Sequence, residues 1–291
     1  MPEPHQCAVR VRLLGPFYLE RDGEELHLRA WKSRKALTLF KYLVSRRGQR
    51  VPKDVLIELL WPEIDDPEKG SHNLHTVVYF LRQLIEPGSR ANGPSPRRPV
   101  FIQHSAGLYW FETGDGCWVD IEQFERLCRE AQEAEGRDDE KACRLYRQAL
   151  SLYRGDFCPE DAYQDWAAGP REHFLELYFG AVLRASSLMV RLHNDYTGSI
   201  SLCRAALKRD PCREELHQAV IAYLIRAGRY GEAAVQYRQC ARLLYEEFGL
   251  YPSPETQALY EKMKRLASAG KSRQPPRLSL SRQARHALPR H

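Results

Sequence analysis

Long apolar runs are missing from this 291-residue chain. Nothing in it approaches the roughly 18 consecutive apolar residues that a membrane-spanning helix needs. Met1–Val9 has neither the basic start nor the apolar centre of a secretory signal. The expectation is a cytoplasmic protein. Also missing is any C-x-x-C pair among the eight cysteines, at 7, 117, 128, 143, 158, 203, 212 and 240. Most of these sit in helical patterns beside apolar neighbours, where a free cysteine acts as a small buried hydrophobe. In a reducing compartment that reading displaces a disulfide framework. Catalytic signatures are missing too: the chain has no G-x-S-x-G, H-E-x-x-H or G-x-G-x-x-G. Ala269-Gly270-Lys271-Ser272 ends like a phosphate loop, but Arg265 stands where the first glycine belongs and no strand precedes it. His72 and His75 lie three apart with no carboxylate or cysteine spaced to complete a metal shell. A non-enzyme without metal or other cofactor is expected.

What is present is uneven. Residues 1–112 carry 17 Lys/Arg against 13 Asp/Glu, residues 113–267 carry 21 against 25, and residues 268–291 carry six against none. Between Leu26 and Lys53 there are nine Lys/Arg and no acid. A polyanion would be held by the two ends rather than by the acidic middle.

The apolar pattern follows the same division. Val9–Leu19 alternates around Gly15-Pro16, and Glu24–Leu28 alternates after Asp22-Gly23, which predicts short antiparallel strands. Leu37, Phe40, Leu43 and Val44 then fall on one helical face ended by Gly48. Pro52 opens a second helix, with Val55, Leu56, Leu59 and Leu60 as its apolar face up to Trp61-Pro62. A third helix over 68–85 buries Leu74, Val78, Leu81 and Ile85 if each residue advances by about 100°. Its opposite face carries Lys69, His72, Asn73, Thr76, Tyr79, Phe80 and Gln83. A Pro/Gly/Ser-rich loop over 87–99 follows, and then Val100–Gln103 and Leu108–Phe111 flank a hairpin turn.

From Val119 onward the periodicity is helical. Tyr196-Thr-Gly-Ser-Ile200 and Tyr230-Gly-Glu-Ala-Ala234 match at an offset of 34, the period of tetratricopeptide (TPR) helix pairs. The predicted fold is mainly α: an α+β winged helix-turn-helix over 1–112, an all-α TPR-like repeat domain over 118–267, and a disordered basic tail over 268–291.

DNA reading needs an element that enters the major groove, cations for phosphates, and side chains that reach base edges. Helix 68–85 supplies the first. Its candidate base readers are His72, Asn73, Thr76, Tyr79 and Arg82, since Asn pairs bidentately with adenine and Thr meets the thymine methyl. Arg34, Lys35, Lys69, Arg97 and Arg98 are candidates for phosphate, with His104 and Ser105 at the hairpin on backbone or minor groove. The alternative is a TPR-based interaction or ligand-sensing scaffold whose winged helix meets protein; the acidic repeats and the arginine-poor, aromatic helix face favour it.

Leu59-Leu60-Trp61-Pro62, the run ending Leu81-Arg82-Gln83-Leu84 and the Ile102…Gly107-Leu108-Tyr109 hairpin resemble the winged helix of SARP-type antibiotic regulators, itself similar to OmpR/PhoB effector domains. The second half resembles the bacterial transcriptional activator domain that follows it in those proteins. Its landmarks are Val119-Asp120…Phe124, Tyr153-Arg154-Gly155-Asp156, Asp210-Pro211…Glu214, Ala227-Gly228-Arg229 and Glu247…Pro252-Ser253-Pro254. The resemblance implies double-stranded DNA as partner, binding of direct repeats near promoters as side-by-side protomers, a homodimer on DNA, and contact with RNA polymerase. It also implies that the third helix reads the major groove and the hairpin the next minor groove. Val77 and Phe80 stand where the family pattern carries His and Arg. Larger relatives continue into a nucleotide-binding domain, and this chain is expected to stop before one.

Overall fold

A computed structural model describes residues 8–27, 31, 33–86, 101–114 and 116–271. Two compact units divide between Leu188 and Met189.

The first unit opens with β1 (Val9–Arg12), β2 (Tyr18–Arg21) and β3 (Glu24–Glu25). Three helices come next: α1 (Arg34–Ser45), α2 (Lys53–Leu60) and α3 (Pro67–Ile85), with the two-residue strand β4 (Val51–Pro52) before α2. The hairpin β5 (Ile102–Ser105) and β6 (Leu108–Phe111) precedes β7 (Cys117–Val119). One sheet runs β3-β2-β1-β7 and the other β4-β6-β5. This is the winged helix-turn-helix order, and the core beneath it is aromatic. Phe40 meets Phe111 edge-on at 5.8 Å, and Phe101 stacks on Phe111 at 6.0 Å.

Several elements differ from the sequence reading. On α2 the buried residues are Leu56, Ile57 and Leu60; Val55 is exposed. The helix is short, so its face is set by what α1 and α3 offer rather than by its own period. The hairpin strand begins at Ile102, and Val100 lies outside the described residues. Neither β4 nor β7 was expected, because two or three residues carry no periodicity. Instead β7 pairs parallel with β1 (Val9↔Cys117, Val11↔Val119). Past it, Asp120 accepts from the backbone N–H of Leu13 and of Leu14, at 2.8–2.9 Å.

The helical region begins with α4 (Asp120–Ala134) and α5 (Asp139–Leu152), an antiparallel pair of the TPR kind, followed by the long α6 (Asp165–His193). Strand β1 and the segment after α5 are stitched together. Leu14 bridges Phe157, Gly15 N–H donates to Asp156 O, and Cys158 N–H donates to Leu13 O. Lys41, buried on α1, places its ammonium 2.8 Å from Asp161.

The second unit packs α7 (Tyr196–Leu207), α8 (Glu214–Arg226), α9 (Tyr230–Phe248) and α10 (Pro254–Lys271) as successive helix neighbours. Helix α10 continues to Lys271, past the boundary at 267 expected from composition, and buries Met263. Residues 272–291 lie outside the described residues. Seven described cysteines are free thiols, all buried except the half-buried Cys212, as the helical pattern implied. Burial pushes the Cys128 and Cys240 thiols up to about 12, so neither is a ready nucleophile. Among the described residues no helix is long and apolar enough to cross a membrane, and no cluster of His, Cys, Asp and Glu fits a metal.

Candidate nucleic-acid interface

The third helix starts where its sequence says it must. Asp66 caps it, accepting from the N–H groups of Glu68 and Lys69, and Pro67 fills the first turn, where no N–H is needed. Leu74, Val78, Leu81 and Ile85 are buried, so the predicted stripe is the real one, with Gly70 and Leu84 added to it. Gly70 lets α2 approach: a Cβ there would stand 2.7 Å from Ile57 Cγ2, too near for real atoms. That contact brings the two helices of the helix-turn-helix close together.

The other face is open. Lys69, His72, Thr76 and Tyr79 are exposed, Tyr79 by 66%, while Asn73 is half-buried. The Thr76 hydroxyl donates to the His72 carbonyl at 3.0 Å, which leaves its lone pairs and methyl outward. The Gln83 amide donates to the Tyr79 hydroxyl at 2.9 Å and steadies that ring. Asn73, Thr76 and Tyr79 thus line one side of a helix whose far side is core.

Arg82 is placed differently from the other candidate base readers. Its Nε and Nη2 both donate to the carbonyl of Ile102, at 3.1 and 2.8 Å. Four residues on, buried Glu86 accepts from the N–H groups of Phe101 and Ile102, at 3.2 Å each. One turn of helix therefore grips strand β5 through both polar groups of the Ile102 peptide. These contacts commit two of the Arg82 donors to the hairpin rather than to a base. The predicted candidates included Arg82 because it stands where the family pattern keeps its later arginine; the partner it found is twenty residues away and carries no signal in composition.

The hairpin that Arg82 holds turns through Ala106 and Gly107, both at positive φ (50° and 75°), the geometry a two-residue hairpin turn requires. His104 stacks on Tyr109 at 4.3 Å and meets His75 of α3 edge-on at 6.0 Å. Burial, then the neighbouring His75 and Arg82, lowers the His104 imidazole from its ordinary value, so it resists protonation. Ser105 is exposed at the tip. Beside the tip Lys53 donates through its backbone N–H to Gly107 O.

Of the phosphate candidates, Arg34 and Lys69 are exposed at the first turns of α1 and α3. Lys35 is engaged: its ammonium lies 3.1 Å from Glu63 and 5.0 Å from the centre of the Trp61 ring. Arg97 and Arg98 lie outside the described residues. Sequence reasoning passes over Glu86. It weighs His75 only as a metal ligand beside His72, a reading it sets aside, and not for the ring contact with His104 that the fold provides.

Comparison with known families places the second half of the chain. The model of the bacterial transcriptional activator domain matches residues 119–264. The chain belongs to that family. Its SARP-type members are the similar proteins. It is 28% identical over 267 residues to the regulatory protein AfsR of Streptomyces coelicolor, covering 90% of this chain and 25% of AfsR. It is 28% identical over 257 residues to the regulatory protein DnrI of Streptomyces peucetius, covering 86% and 90%. The chain thus spans a quarter of one relative and nearly all of the other. Among solved structures, EmbR of Mycobacterium tuberculosis superposes with a TM-score of 0.74 at 23% identity, over 91% of this chain and 69% of EmbR, which shows a shared fold.

The landmarks of the activator domain prove to be joints. Gly155 packs against Gly15 so closely that a Cβ on it would stand 2.8 Å from the Gly15 Cα. Tyr153 stacks on Tyr178 at 4.3 Å. In the second unit, Glu214 accepts from Ser253 N–H and the Thr256 hydroxyl, and the buried His217 bonds Pro211 O through Nε2 and the Gln236 amide through Nδ1. Burial holds His217 below its ordinary pKa, consistent with a neutral ring donating on one side and accepting on the other.

Proposed function

We propose that this chain is a sequence-specific, DNA-binding transcription activator. Helix α3 enters the major groove and offers Asn73, Thr76, His72 and Tyr79 to base edges. His104 and Ser105 bring the hairpin to backbone or minor groove. Lys69, Arg34, Arg97 and Arg98 neutralise phosphates, with Arg82 holding the hairpin in register with the helix. Two protomers lie side by side on a direct repeat, and the activator domain meets RNA polymerase. The exposed Tyr245, Phe248, Leu250 and Tyr251 at the end of α9 offer an apolar surface for that contact.

The observation that carries this reading is the α3 face: polar and aromatic, uncovered, backed by a continuous buried stripe and joined by side chains to a hairpin. A solvated face needs no such hairpin clamp. Family membership and the names of AfsR and DnrI, both regulatory proteins, support the same conclusion.

Fluorescence anisotropy with a promoter duplex carrying a direct repeat tests it. Neutralising about five phosphates gives a slope of roughly −4 to −5 in log affinity against log salt. A slope near zero, or the absence of binding at low salt, would overturn the reading.

A further inference from the structure

Two imidazoles from different elements meet where α3 faces the hairpin. His75 is exposed on α3, one residue before Thr76. His104 is exposed on β5, two residues before the turn at Ala106. Register pairs His104 with Tyr109 of β6, and their rings stack at 4.3 Å. That stack sets the plane of the His104 ring, and His75 meets it edge-on at 6.0 Å.

The charged groups around this pair are cations. On α3, His72 lies about one turn before His75 and Arg82 about two turns after it. Arg82 keeps its guanidinium on the Ile102 carbonyl. On α2, Lys53 meets Gly107 O at the hairpin turn through its backbone N–H, and its ammonium lies 3.5 Å from the Ser71 hydroxyl of α3. Strand β4 offers only Val51 and Pro52, which do not titrate, and β6 offers the Tyr109 phenol, which burial keeps protonated. Among the described residues neither imidazole has a carboxylate or a hydrogen-bond partner.

An imidazole holds its second proton best beside an anion. Here the anion has an outside source. A helix in the major groove and a hairpin at the next minor groove straddle the sugar–phosphate backbone between them, so their junction faces phosphate oxygens. A bond from an imidazolium to such an oxygen is about twice as strong as one from a neutral ring.

We propose that His75 and His104 clasp one DNA phosphate where α3 meets the hairpin, and that the pair takes up a proton in doing so. This rests on the reading of α3 and its hairpin as the DNA interface. In the free chain, burial and then the charges of His75 and Arg82 hold His104 below its ordinary value. The phosphate reverses that balance. More protons are then bound in the complex than in the free chain, so DNA affinity is greatest at low pH and falls as pH rises through the imidazole range. The interface becomes a pH-responsive one.

Fluorescence anisotropy with the direct-repeat promoter duplex, at constant ionic strength from about pH 5.5 to about 8, tests this. Wild-type affinity is expected to fall by up to about tenfold per pH unit for one proton. His75→Gln and His104→Gln are each expected to flatten that fall, while His193→Gln, at the exposed end of α6, keeps it. Calorimetry in two phosphate-free buffers of unequal ionisation enthalpy counts the proton directly: about one taken up by wild type and about none by either variant. Both substituted rings are exposed, so the variants fold. Wild-type binding that does not change with pH overturns the proposal, and so does a profile flattened by one variant and untouched by the other. Those results leave the DNA reading standing, whereas absence of binding at every pH overturns both.

Discussion

Arg82 holds the carbonyl of Ile102 with two of its donors, Nε at 3.1 Å and Nη2 at 2.8 Å. A side chain on the proposed reading helix thereby sets where the hairpin lies. Removing it leaves a buried carbonyl short of partners, a loss of about 1–3 kcal/mol. Arg82→Ala is expected to lower the urea midpoint and weaken every DNA sequence about equally, with protection lost first where the hairpin meets the duplex. Denaturation together with hydroxyl-radical footprinting checks this. A change of base preference at one position without loss of stability would make Arg82 a reader instead.

Gly70 is required by the approach of α2 to α3. The Cβ of Gly70→Ala would fall 2.7 Å from Ile57 Cγ2, a branched methyl with no freedom to move away. The helix interior itself favours alanine by up to about 1 kcal/mol, so the sign separates the two effects. The clash is expected to win, destabilising the first unit by roughly 1–3 kcal/mol, and Gly70→Ala is expected to cost less in an Ile57→Ala background, where Cγ2 is gone. Urea titration of the single and double variants decides; a more stable Gly70→Ala contradicts the close contact.

Asp120 gives a pH dependence. Burial raises its carboxyl from the ordinary 3.8 to about 6, against the lowering effect of the N–H groups of Leu14, Leu13 and Ile121. A group with a raised pKa takes up a proton on folding. Its contribution is therefore fully present below about pH 4 and is lost as pH rises through about 6. Wild type is expected to lose stability relative to Asp120→Asn between those values. The midpoint difference measured across pH 4–7 checks it. A wild type that instead gains on the variant as pH rises shows the N–H groups outweighing burial.

Much of the fold was legible in the sequence because it is local. Leu74, Val78, Leu81 and Ile85 recur at helical spacing and are buried together, and the hairpin turns at Ala106-Gly107, inside the segment His104–Gly107 that the spacing assigned to the turn, with His104 and Ser105 still in β5. What was not legible is non-local. The bond between Asp120 and Leu13 joins residues 107 apart in the chain, and β7 finds β1 with only three residues. The face of α3 was visible, but the engagement of Arg82 with Ile102 and of Lys35 with Glu63 was not. Both depend on which long side chain meets which backbone or carboxylate after the helices have packed.

Asn73 is the most direct probe of base reading. Asn73→Ala is expected to cost about 1–3 kcal/mol on the best site and to relax preference at one base pair. Equal weakening on every sequence, measured by competition with single-base variants of that site, would falsify its role.

The central claim is that α3 and its hairpin read a repeated DNA sequence. Selection of bound duplexes from a random pool by the full chain, at two salt concentrations, tests it most directly. The expected result is enrichment of a direct repeat spaced by about one helical turn, persisting at the higher salt. Recovery of no motif, with all binding lost at modest salt, would contradict it and leave charge attraction alone.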